Sequence, residues 1–182
     1  MWEIAYRIVL ALTGVTVVIG TVLICRTLRS NHKWAKRRFA LDMLQMWNDR
    51  VYPHFKVIEH LYPHIRLYDH KTKKYGELTK EAAQKLWSCE TSDADLWRAK
   101  TAMLELLNYF EFVTTAYATG VADKKLVEQS FKYAMVQWHA ILDNFIIVAE
   151  EGLGFQPWSP SLKVIQNWRA SAAMKKERPP TA

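Results

Sequence analysis

Residues 8–25 read IVLALTGVTVVIGTVLIC, 18 positions without a charged side chain, and Arg26, Arg29, Lys33, Lys36, Arg37 and Arg38 follow at once. At about 1.5 Å of rise per residue, such a helix covers most of a hydrocarbon core about 30 Å thick. Trp2, Ile4, Ala5 and Tyr6 extend it toward the interface, where aromatic side chains are favoured. The run is predicted to be a single transmembrane anchor over residues 1–28. Before it only Glu3 and Arg7 carry side-chain charge, whereas six cations crowd its exit. The positive-inside bias therefore places the N-terminus outside and the rest of the chain in the cytoplasm. Two other readings fit less well. A cleaved signal peptide carries its charge before the apolar core and small residues at its cleavage site, but here ICRTLR follows. A buried soluble helix would need a second segment of like apolarity to cover it, and the sequence has none.

Working outward, the residues after the anchor suffice for one domain with a real core and not comfortably for two. Eight Trp, eight Tyr and seven Phe supply bulk for burial, while six Gly and six Pro leave little material for tight turns. That composition favours helices. The formal charge of +7 resembles a nucleic-acid signature until it is mapped. The collar cations and Lys175, Lys176 and Arg178 of the tail together exceed the whole excess, and the domain between them is close to balanced. Nucleic acid is therefore not the expected partner. A bilayer with anionic headgroups explains the collar more simply, at roughly 1 kcal/mol per basic residue near the surface. Cys25 and Cys89, one at the membrane boundary and one in the domain, provide neither a disulfide framework nor a Cys-rich zinc site. Thr16 and Gly20 form a small-xxx-small pair that permits close helix contact, so self-association into a homo-oligomer stands among the expected partner modes.

The fold class is all-α, an N-terminal transmembrane helix followed by a cytosolic bundle of about five helices over residues 29–174, with 175–182 as a disordered tail. Phe39, Met43, Met46 and Trp47 share one helical face. That helix either runs on from the anchor or restarts near Ser30 or Asn31, and Pro53 interrupts it and opens a short helix limited by Pro63. Residues 66–78 read as an exposed connection. Thr79 caps a helix over 80–88, and Ser92 or Asp93 caps the long apolar helix ADLWRAKTAMLELLNYFEFVTTAYA, which Gly120 ends. Asp123 starts a second long helix running to Glu150, Glu151 and Gly152. The two form an αα-hairpin. Ser159 or Ser161 begins the last helix.

Few constellations suggest chemistry. His60 and His64 lie at i, i+4 with His54 and Glu59 nearby, but the pattern is not H-E-x-x-H and Pro63 sits inside it. No metal or cofactor site is expected. Asn108 and Glu111 lie inside the most apolar helix and are predicted as buried polar residues, where a carboxylate needs partners such as a Trp N–H, His139 or a cation. A register-fixing polar network outweighs a catalytic role there. No nucleophile elbow, Gly-rich phosphate loop or paired-carboxylate motif accompanies them. Most of the tryptophans are assigned to the core.

Within residues 106–131, LLNYFEFVTTAYATGVADKKLVEQSF, the chain resembles the bacterial domain-of-unknown-function family numbered 4760. The matching elements are Leu107, Asn108 and Glu111, then Gly120, Val121 and Asp123, then Trp138, and finally Trp168 and Arg169. The likeness extends over roughly residues 31–170. It implies a membrane-anchored helical protein of the bacterial inner membrane, supplies no reaction, and marks Asn108 and Glu111 as positions to test. The leading functional expectation is an anchored interaction or regulatory module with a protein or small-molecule partner that the sequence does not identify. A ligand-gated membrane effector of antiphage defence or stress response is second, and a membrane-proximal enzyme using Glu111 is third.

Overall fold

The computed structural model describes the backbone of residues 2–66, 68, 69 and 74–177, and the side chains of residues 19–65 and 76–171. Seven α-helices appear among them: α1 Trp2–Met46, α2 Tyr52–Leu61, α3 Lys80–Trp87, α4 Ala94–Thr119, α5 Lys124–Ile141, α6 Asp143–Leu153 and α7 Ser159–Glu177. A two-residue antiparallel ladder, β1 (Tyr68–Asp69) with β2 (Lys74–Tyr75), lies between α2 and α3 and pairs Tyr68 with Tyr75. The chain is essentially all-helical, as its composition predicts.

α1 does not restart at Ser30 or Asn31. It runs unbroken for 45 residues, about 68 Å at the helical rise. Residues 21–35 are all exposed, so the helix stands clear of the bundle before Phe39, Ala40 and Met43 carry it into the core. Among the described residues no helix is long and apolar enough to cross a membrane. Most of the 8–25 run lies outside them, since its side chains are described only from Ile19 onward.

Pro53 acts differently from the expected interruption. Its ring would clash with the carbonyl of Asp49 in a regular helix and it has no N–H to donate to it. The chain widens instead into a π turn, Trp47–Val51, in which the Tyr52 N–H reaches the Trp47 carbonyl. The residues flanking the turn, Met46 and Tyr52, are both right-handed helical, so α1 passes into α2 without reversing direction.

α4 is the central helix. Its buried residues, from Ala99 through Met103, Leu106, Leu107, Phe110 and Val113 to Ala116, occupy about half of its circumference. Trp47 fills the space beside it, stacked on Phe110 at 6.2 Å and 11° and in edge contact with Phe55 and Phe131. Caps fall where the sequence places them: Thr79 Oγ1 accepts from the Ala82 N–H, Asp93 from Leu96, and Asp123 from Leu126. Gly120 ends α4 at φ +71°, the left-handed conformation that favours glycine.

The expected single helix after Asp123 is two. The Ile141 carbonyl accepts from the Leu78 N–H at 3.1 Å, and the Asn144 side-chain amide donates to the Leu78 carbonyl at 2.7 Å. Leu78 is fully buried. A chain segment from before α3 thus takes the carbonyl that would continue the helix, and α5 gives way to α6 at Leu142. α6 ends at Leu153, with Gly154 at φ +73°, one residue past the predicted stop at Gly152. α7 runs through Lys175 and Lys176 to Glu177, where a disordered tail was expected, and Arg178 lies outside the described residues.

His139 on α5 is 2% exposed, and neither ring nitrogen has a hydrogen-bond partner among the described residues. Burial first, then the Arg169 guanidinium on α7, push its pKa down to about 4, against the opposing charge of Asp143. The folded state therefore holds it neutral while the unfolded chain protonates it near pH 6.5. Stability is full above that pH and is lost as pH falls toward 4, by on the order of 3 kcal/mol. Unfolding free energies measured across this window should fall less steeply in His139→Leu than in wild type, and parallel curves would contradict this role.

Candidate functional site

The side chains singled out by the sequence gather at two places, the exit of α1 and the start of α7. At about 100° per residue, Arg26, Arg29, Lys33, Lys36 and Arg37 fall within about 100° of arc on α1, and Arg38 lies outside it. This arc continues the face that carries Ala40, Met43 and Trp47 into the core. The collar therefore overlooks the end of the bundle instead of ringing the helix evenly.

Its last two members belong to the junction. Arg37 Nε donates to Asp123 Oδ2 at 3.4 Å, and the Lys36 carbonyl accepts from the Asp123 N–H at 3.2 Å. The Lys36 ammonium lies beside Gly120. The Leu126 N–H first, and Arg37 after it, hold the Asp123 carboxyl below its ordinary pKa against some opposing burial. Asp123 thus caps α5 and ties the α4–α5 turn to α1. The ion pair itself is largely solvated and contributes at most about 1 kcal/mol. Deeper in the junction the Tyr109 hydroxyl donates to the Met43 carbonyl at 2.6 Å, and burial pushes its pKa above the usual phenol range. Arg26, Arg29 and Lys33 lie farther out, on the exposed stretch of α1.

Asn108 and Glu111 are not buried as expected. Asn108 is exposed and Glu111 half-buried, because both point from α4 toward the first turn of α7. Asn108 Oδ1 accepts from Trp158 Nε1 at 3.1 Å, and Glu111 Oε2 accepts from the Ser161 backbone N–H at 3.1 Å. Ser161 Oγ donates to the Trp158 carbonyl at 2.9 Å, closing the cluster around two buried residues. The first N–H groups of any helix lack intrahelical acceptors, and an anion is favoured at that end. Glu111 is therefore a cap supplied to α7 by another helix, and the expected Trp N–H partner goes to Asn108.

The histidine pair does not form. α2 ends at Leu61, so His60 is on the helix and His64 is in the following 3₁₀ turn, its ring 6.0 Å from Tyr62. Among the described residues no group of three or more His, Cys, Asp or Glu could hold a metal ion. Trp138, Trp158 and Trp168 are buried as assigned, whereas Trp97 is 42% exposed. Sequence reading missed a further cluster, in which the Tyr117 hydroxyl donates to Glu128 and the Tyr117 ring meets Trp168 at 5.1 Å. Its members come from three helices with no common spacing.

If Glu111 and Asn108 act as the α7 clamp, Glu111→Ala should speed amide exchange over residues 161–165 and lower stability by about 0.5–2 kcal/mol, the usual range for losing a cap. Glu111→Gln, which keeps an acceptor oxygen, should lose less. Exchange in α7 that is unaltered by Glu111→Ala would contradict the clamp.

The model of the family described as a domain of unknown function, DUF4760, matches residues 8–151. The match starts at the head of the apolar run and takes in the collar, the junction and most of α6. It is offset from the expected extent of 31–170, and Trp158, Ser161, Trp168 and Arg169 of the α7 region lie beyond it. No curated protein and no solved structure matches the chain. With most of its length covered, from the apolar run through α6, the chain belongs to the DUF4760 family.

Proposed function

We propose that this protein is a single-pass membrane protein of the bacterial inner membrane, N-terminus outside, whose cytoplasmic helical domain is an interaction and regulatory module. The observation that carries the reading is the upper part of α1. Ile19, Val22, Leu23 and Ile24 are 55–62% exposed and spread over about 200° of the helix circumference. A helix that is apolar over so wide an arc needs a non-aqueous surrounding, and a bilayer supplies one where the bundle does not reach.

The anchor and the domain are then parts of one rod. With Cys25 at the hydrocarbon boundary, Arg26 and Arg29 lie within about 6 Å of it, Lys33 at about 12 Å and Lys36 at about 16 Å along the axis. Screening at physiological salt has a length of about 8 Å, so the first cations feel anionic headgroups while the last ones hold the α4–α5 turn. The domain stands off the surface on a basic stalk, which leaves its sides open to a protein partner or a second copy. Within this reading Glu111 positions α7 and is not a reacting group. A ligand-gated effector is the second reading, favoured by the cleft between α2 and α4 described below.

Two measurements on cells expressing the full chain test the proposal together. The protein should resist alkaline carbonate extraction, and after mild detergent solubilisation it should run as a complex heavier than a monomer. Release into the carbonate supernatant would overturn the anchor, and a strictly monomeric species without a partner would overturn the interaction role.

A further inference from the structure

The end of the bundle farthest from the collar carries a feature that neither the anchor nor the α7 clamp uses. A cleft of about 490 Å³ opens between α2 and the first turns of α4. On α2, Pro53, Val57 and Leu61 recur every four residues and form its apolar floor, while Lys56 and His60 stand beside them on the rim. Arg98 faces them from α4, and Asp95 is the one carboxylate of the lining. Lys56, His60 and Arg98 are exposed, and none is ion-paired among the described residues. The one charge-related contact there is Lys56 over the Tyr52 ring at 5.2 Å. Elsewhere the structure does match cations with anions, as Arg37 with Asp123 and Lys80 with Glu151.

We propose that this cleft binds a phosphate-bearing small molecule of about mononucleotide size. An apolar strip with three cationic side chains in the same lining suits a ligand with one flat apolar part and one multiply charged part, and the volume lies in the range of small-molecule sites. Lys and Arg gathered on a phosphate form charge-assisted hydrogen bonds, with Arg capable of a bidentate pair. Asp95 accepts a hydrogen bond from a hydroxyl or amino group of the same ligand. The anion comes from solution and not from a lipid headgroup. His60 lies 24 residues beyond Lys36 along an almost continuous helix, about 36 Å farther from the stalk. The exclusion of a headgroup rests on residues 8–25 crossing the bilayer, whereas the cleft and its charges do not.

The cleft also has a mechanical relation to the stalk. Its α2 wall follows directly on the π turn at Trp47–Val51, the one place where the rod departs from regular helix before α2 ends. A ligand that draws α2 toward α4 acts on the segment joined to α1.

The test is calorimetric titration of the full chain with pyrophosphate, ATP and adenosine, in mild detergent and again in nanodiscs of phosphatidylcholine or phosphatidylglycerol. ATP and pyrophosphate should bind saturably at one site, and adenosine should bind far more weakly. Arg98→Ala and Lys56→Ala, both exposed substitutions, should each weaken binding about tenfold or more without changing the thermal midpoint, while Lys163→Ala on α7 leaves it unaltered. Equal affinity in the two nanodiscs is expected. The proposal is overturned by no binding at millimolar concentration, by binding that survives both cleft variants, by an equal loss with Lys163→Ala, or by pyrophosphate binding abolished in phosphatidylglycerol, which would identify a headgroup as the occupant.

Discussion

The structure depends on one continuous helix that is exposed over residues 21–35 and packed into the core from Phe39 onward. α1 begins in an apolar run, passes through a stretch of fully exposed residues, and ends packed beside the central helix of a bundle, without a break in its hydrogen-bond ladder until the π turn at Trp47. A helical ladder resists bending because each turn is closed by several backbone bonds, and sharp kinks need a Pro, a bulge or an inserted group. None of these interrupts residues 26–46. Beyond Cys25 the exposed stretch is basic enough to remain solvated, and its Arg, Lys, Leu and Ala residues favour the helix while Thr27, Ser30, Asn31 and His32 contribute less. Anything that rotates or tilts the head of α1 is felt by the residues that enter the core.

That core is arranged to receive it. Ala40 and Met43 are buried, Trp47 stacks on Phe110, and Tyr109 ties its hydroxyl to the Met43 carbonyl. Asp123 closes the end of the bundle nearest the collar by capping α5 and accepting from Arg37. At the other side of α4, Asn108 and Glu111 hold α7 by its first turn. α4 is thus the common partner of the rod and of the last helix, and the residues that carry the family resemblance mark its two clasps. Asn108 and Glu111 form one, while Gly120 and Asp123 form the other.

Much of this was legible in the sequence wherever the determining interaction is local. Helical periodicity located α4, and the caps at Thr79, Asp93 and Asp123 and the stop at Gly120 follow from side chains that reach only three or four residues. The misses have tertiary causes. The α5–α6 break exists because Leu78 claims the Ile141 carbonyl, and no feature of residues 124–153 announces it. The π turn is a response to Pro53 that keeps Trp47 in the aromatic cluster, where a plain interruption would displace it. Asn108 and Glu111 read as buried because their neighbours in sequence are apolar. Their hydrogen-bond donors, Trp158 Nε1 and the Ser161 N–H, lie 50 residues away in sequence, and only the position of α7 shows that they lie at a rim. The cleft of Lys56, His60 and Arg98 joins two helices in the same way.

A distance measured along α1 tests the single-rod account most directly. With Cys25 and Cys89 replaced by Ser and spin labels placed at the exposed positions 24 and 41, pulsed dipolar spectroscopy of the full chain in a bilayer reads the separation across about 17 residue steps. An unbroken helix predicts one narrow distribution near 25 Å. A broad distribution, or one centred well below that distance, would show a joint near Ser30 or Asn31 and contradict the single-rod account.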